Sequence, residues 1–121
     1  MADIEVDGDV VVVALSAAER VEALHGDLRI PVASLDAVEL VEDVVAGFHG
    51  LKAPGTALPG VVVVGTFYRD GRRTFIVGHR SERRGLRLAL HGERYDEVVV
   101  GLTDPDGVAR RIAAAGGPAL G

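Results

Sequence analysis

The chain has no cysteine, no tryptophan and a single lysine, Lys52. Without cysteine it forms no disulfide, offers no thiolate nucleophile and builds no cysteine-bound zinc site. Such a composition suits a reducing cytosol. Aromatic rings are few: Phe48, Phe67, Tyr68, Phe75 and Tyr95 are the full set. They make a poor stacking platform for nucleic-acid bases. No apolar run approaches the ~20 residues that span a bilayer as a helix. The opening MADIEVDGD is acidic, whereas a secretory signal starts basic and turns apolar. A cytoplasmic protein without a signal peptide is expected.

Catalytic patterns are missing as well. His25, His49, His79 and His91 are scattered without a metal-ligating spacing. No metal and no cofactor is expected. Asp96 and Glu97 adjoin at the start of a strand pattern, so they point to opposite faces and make no acid/base pair. Ser16, Ser34 and Ser81 lack the turn that exposes a nucleophilic serine. No catalytic residue is assigned, and the reading leans away from an enzyme.

What is present is a chain of 121 residues, enough for one domain with one core. Its charge of -5 is unevenly placed. Residues 1–60 hold 11 acids against 3 bases, and residues 61–121 hold 7 acids against 10 bases. A net acidic chain is a poor general binder of nucleic acid. The arginine-rich second half still offers a surface for an anion or an acidic partner.

Local patterns predict the elements. Asp9 to Leu15 is a β-branched run, read as a first strand. Ser16 and Glu19 have capping-box spacing, and Ala17, Val21 and Leu24 recur at helical spacing. A short helix at about 17–24 follows. Leu28 to Ile30 is a short strand ended by Pro31. Leu35 to Asp43 suits either a strand or a helix, and strand is preferred. The glycines and prolines of residues 44–60 argue against regular structure over most of that stretch. Asp70-Gly71 marks a hairpin, and GLRLALHGERYDEVVVGL reads as a second one. Leu86, Leu88 and Leu90 then share one face with Val98, Val100 and Leu102. Phe67 and Phe75 are expected to meet as a cross-strand pair. Asp104 as N-cap and Pro105 behind it start a terminal helix at about 105–115. One domain over 1–116 and a frayed tail over 117–121 are expected.

Seven strands, an early helix and a terminal helix form an order carried by LSAAERVEALHGDLRIP (15–31), GLKAPGTALPG (50–60), GTF and GRRTF (65–75) and YDEVVVGLTDPDGVARRI (95–112). It resembles a group of uncharacterised bacterial pleckstrin-homology-like (PH-like) proteins. The resemblance implies a mainly β fold: a partly open seven-stranded barrel of two near-orthogonal antiparallel sheets, capped by the C-terminal helix. It brings no activity. The basic loop of phosphoinositide-binding members is replaced here by SAAERVEALHGDLR, where Arg20 and Arg29 lie among Glu19, Glu22 and Asp27. No phosphoinositide motif is present, and membrane binding is not expected. An α+β sandwich grown from a βαβ start is the alternative fold.

Two places stand out as contact surfaces. The loop GLKAPGT imitates a phosphate loop, but Thr56 stands in the lysine slot, and Pro54 removes a cradling N–H. It is read instead as a stiff connector that presents Phe48, His49, Lys52 and Thr56. Arg69, Arg72 and Arg73 flank the Asp70-Gly71 turn and are the basic candidates; Arg80, Arg83 and Arg84 fill the next loop, at the opposite rim. The expected role is a non-catalytic module that binds a protein or peptide, or itself as a homodimer. A small-ligand binder or small enzyme using the 48–60 loop is the alternative.

Overall fold

A computed structural model describes residues 2–16, 26–45, 55–58, 62–69, 71–79 and 81–121, with backbone alone for 55–58, 62, 63 and 69. The helix expected at 17–24 lies outside these residues.

The chain begins with a hairpin that the sequence reading missed. β1 (Asp3–Asp7) pairs antiparallel with β2 (Val10–Ala14), Asp7 opposite Val10. Gly8 takes the turn at φ 61°, a left-handed value that glycine adopts without a Cβ clash. Ile4, Val11 and Val13 point inward and are buried. β3 (Leu28–Pro31) joins the far side of β2 and completes a three-stranded sheet. Where the 17–25 connection leaves, the Leu15 N–H donates to Asp27 Oδ1 at 2.8 Å.

A 3-10 turn at Val32–Ser34 leads into a second sheet. β4 (Leu35–Val41), the ambiguous segment, is a strand. β5 (Gly55–Leu58), β6 (Val62–Arg69), β7 (Arg72–His79), β8 (Gly85–Leu90) and β9 (Glu97–Gly101) follow in the chain. Their spatial order is β4-β8-β9-β7-β6-β5. The described residues thus hold nine strands where the sequence suggested seven; β1 and β5 are the additions. β5 lies within the stretch expected to lack regular structure. Pro54 and Pro59 flank it, and it sits at a sheet edge, where neighbouring prolines are tolerated.

The large sheet is mixed, which corrects the expected all-antiparallel pairing. β7 and β9 are parallel, with Phe75 opposite Val98 and Val77 opposite Val100. The reason is a skipped slot. Successive strands still alternate in direction, but β8 settles beyond β9 and leaves β9 to pair directly with β7. The connection from His79 to Gly85 therefore crosses two strand spacings, roughly 10 Å. On the way the backbone of Glu82 passes the end of β9. A Cβ on Gly101 would lie 2.3 Å from the Glu82 carbonyl oxygen, so only glycine allows the passage.

The small sheet and the helix α1 (Pro105–Ala114) cover one face of the large sheet. α1 packs against β1, β4 and β8. This main core includes Ile4, Val11, Val38, Phe75, Leu86, Leu88, Val98, Val100 and Ile112. The other face carries a second cluster in which Val44, Val45, Phe67, Ile76 and Val99 pack together. β9 is consequently buried on both sides. Phe67 and Phe75 do not pair. The register sets Phe67 opposite Thr74 and Phe75 opposite Thr66, so the two rings occupy opposite faces. Phe75 instead meets Tyr95 at 5.5 Å, and the Tyr95 hydroxyl lies 3.0 Å from Thr66 Oγ1.

The protein is thus mainly β, with two sheets and a C-terminal helix. Among the described residues the pairing does not close into a barrel. Residues past α1 return to β4, where the Gly121 N–H donates to Val38 O at 2.9 Å. Among the described residues no helix is long and apolar enough to cross a membrane.

Candidate functional site

Of the residues singled out from sequence, Phe48, His49 and Lys52 lie outside the described residues. Thr56 sits in β5 with its backbone opposite Val64. Arg69 ends β6, its backbone opposite Arg72. Arg72 and Arg73 are successive on β7, so they leave on opposite faces. Arg72 Nη1 comes within 4.0 Å of Glu97 Oε2. The Arg73 guanidinium lies 5.6 Å over the Tyr68 ring, and its Nη1 donates to Arg94 O at 3.4 Å. The Arg73 N–H also donates to Asp96 Oδ2 at 2.8 Å. Both arginines are engaged with the scaffold, and they do not converge on a common point.

Glu97 is the first polar residue the sequence undervalued. It is 7% exposed, in the middle of the sheet. Its Oε1 accepts the Thr74 hydroxyl at 2.8 Å, and its Oε2 accepts Arg87 Nε at 2.5 Å. Arg87 also reaches Glu39 at 2.6 Å. A chain Glu39–Arg87–Glu97–Thr74 thus crosses four neighbouring strands. A buried carboxylate is tolerable when it is paired and hydrogen-bonded in this way. The chain serves the sheet rather than a ligand: both oxygens of its buried carboxylate, Glu97, already accept bonds from neighbouring strands.

The β7–β8 crossover builds a different arrangement at the far end of β9. Because residues 81–84 pass over Gly101, they stand against the stretch that leads into α1. Two bonds tie the walls together: the Leu102 N–H donates to Arg84 O at 2.9 Å, and Thr103 Oγ1 donates to Glu82 Oε2 at 2.5 Å. Between them lies a cleft of about 470 Å³, lined by Ser81, Glu82, Arg83, Arg84, Leu102, Thr103 and Pro105. Asp104 begins the helix at its rim, with its Oδ1 accepting the Gly107 N–H at 3.0 Å. The orphan amides of this helix start are thereby partly filled by the protein's own carboxylate, which leaves less to attract an anion.

Glu82 is the unusual member of the lining. It is 9% exposed, and its Oε1 is buried without a hydrogen-bond partner. Leaving a buried acceptor unpaired costs about 1–3 kcal/mol, more when it is charged. The two arginines of the lining do not relieve it. Arg83 pairs with Asp43 at 2.7 Å, and Arg84 lies 3.5 Å from Asp106 and 3.9 Å from Glu42. The lining thus holds Glu82 beside two arginines whose charges are directed to acids outside it, Asp43, Glu42 and Asp106. The sequence hides this arrangement, because SERR reads as a basic turn when taken alone.

Among the described residues no three of His, Asp and Glu are grouped to hold a metal ion. His91 Nδ1 lies 2.5 Å from Asp36, and Ser34 donates to Glu93 at 2.9 Å. His91 is thus matched with β4 rather than with its near neighbour Glu93. Comparison of the chain with protein-family models, curated proteins and solved structures finds no match.

Proposed function

We propose that this chain is a non-catalytic binding module of PH-like architecture that recognises a protein or peptide, with the cleft beside the start of α1 as its contact site. One observation carries the reading. An open cleft, part apolar through Leu102 and Pro105, is lined by Glu82, whose buried Oε1 the fold leaves unpaired. Sites with an apolar lining and a few placed polar groups are the usual form of a recognition pocket. Partners that fit include a second copy of the chain. A cysteine-free composition agrees with a cytoplasmic setting.

Chemical-shift mapping with isotope-labelled protein and pools of short peptides tests this reading. Shifts gathered on residues 81–84 and 102–106 are expected. Peptide-induced shifts confined to β5, or no shifts with any pool, contradict it.

A further inference from the structure

We infer that the cleft takes a basic side chain of a partner peptide, a compact ammonium of the lysine type, and that Glu82 is its acceptor. The inference rests on the reading of the cleft as a peptide site and specifies what enters it. Three observations converge. Glu82 Oε1 is buried and unpartnered, while Oε2 is held by a neutral hydroxyl, that of Thr103. The remaining charges around the cleft are already matched, Arg83 by Asp43 and Arg84 by Asp106 and Glu42. The start of α1 is capped by Asp104, so the helix end opposite Glu82 does not call for an anion.

A donor carrying positive charge satisfies this arrangement better than a neutral one. It forms a charge-assisted bond with a carboxylate, which is about twice as strong as a neutral bond. Because Oε1 is buried, the Glu82 side chain has to rotate to present it to the incoming group. The apolar members Leu102 and Pro105 line the same cleft and suit the methylene stem of a lysine. An acidic residue entering the same cleft meets Glu82, the one charge of the lining without an ionic partner of its own among the described residues, and is disfavoured.

The test compares three pentapeptides that differ in one central residue: lysine, norleucine of the same length, or glutamate. Dissociation constants by calorimetry are combined with chemical-shift mapping on the full chain. The lysine peptide is expected to shift residues 81–84 and 102–106 and to bind roughly 10-fold more tightly than the norleucine peptide. Glu82→Gln is expected to abolish that preference while the protein keeps its circular-dichroism spectrum. Equal binding of lysine and norleucine peptides at the cleft overturns the ammonium assignment and leaves the binding-module reading in place. So does a lysine preference that survives Glu82→Gln. Absence of cleft shifts with all three peptides overturns both. The comparison of peptides on the unaltered chain decides the matter even where the variant does not fold.

Discussion

Replacing Gly101 by alanine probes the crossover that builds the cleft. The added Cβ would lie 2.3 Å from the Glu82 carbonyl oxygen and 3.6 Å from that of Val77. Real Cβ atoms essentially never come within 3.0 Å of such a neighbour, so the crossover must retreat by about 0.7 Å or more. It has little room to do so. The Glu82 N–H is bonded to His79 O at 2.9 Å, Arg83 O accepts Val44 N–H at 2.6 Å, and Arg84 O accepts Leu102 N–H at 2.9 Å. Forcing an extra methyl into a packed site typically costs about 1–3 kcal/mol. In a domain of this size that lowers Tm by roughly 3–15 °C. Urea unfolding monitored by circular dichroism, with calorimetric Tm as a second measure, reads the effect. Gly26→Ala is the control, since its Cβ meets nothing within 4 Å and its φ is unexceptional. It should be neutral or slightly stabilising. A Gly101→Ala protein as stable as the parent would refute the close passage of the crossover over β9.

Glu97→Ala leaves Arg87 and Thr74 without their shared acceptor, and a loss of about 3 kcal/mol in urea unfolding is expected. A loss under about 1 kcal/mol would show that the four-strand chain is incidental. Asp104→Ala removes the cap of α1 and should cost about 1 kcal/mol, readable as a shift of the urea midpoint. An unchanged midpoint would mean that water caps the helix equally well.

Much of the fold was legible where the signal is local. Asp70-Gly71 marks the β6–β7 hairpin, with Gly71 at φ 77°. The Leu86, Leu88, Leu90 and Val98, Val100, Leu102 patterns give the buried face of β8, β9 and the residue after it. Asp104 and Pro105 mark the start of α1 where the helix in fact begins. β1 escaped because its apolar residues, Ile4 and Val6, are interleaved with acids that resemble a solvated tail. The Gly8 turn beside it was as readable as the Gly71 turn. β5 escaped because its four residues sit between prolines, and a short edge strand is defined by its neighbour β6 rather than by its own composition.

The contact site was the least legible part. Its walls, residues 81–84 and 102–105, are separated in the chain by β8 and β9 and meet only because β8 skips a slot in the sheet. No periodicity encodes that choice. The same choice makes β7 and β9 parallel, and Glu82, on the crossover it requires, has its Oε1 buried without a hydrogen-bond partner. Glycine at 101 has its reason in the passing backbone of Glu82, a contact across 19 positions of sequence. The pairing of Phe67 and Phe75 failed on register: a shift of one residue sends a side chain to the other face.

Amide hydrogen exchange with and without a lysine-containing peptide tests the central claim most directly. Added protection at residues 82–84 and 102–108, reduced by Glu82→Gln, is the predicted result. Protection confined to β5 or to the β4 edge, with the cleft unchanged, would contradict the account.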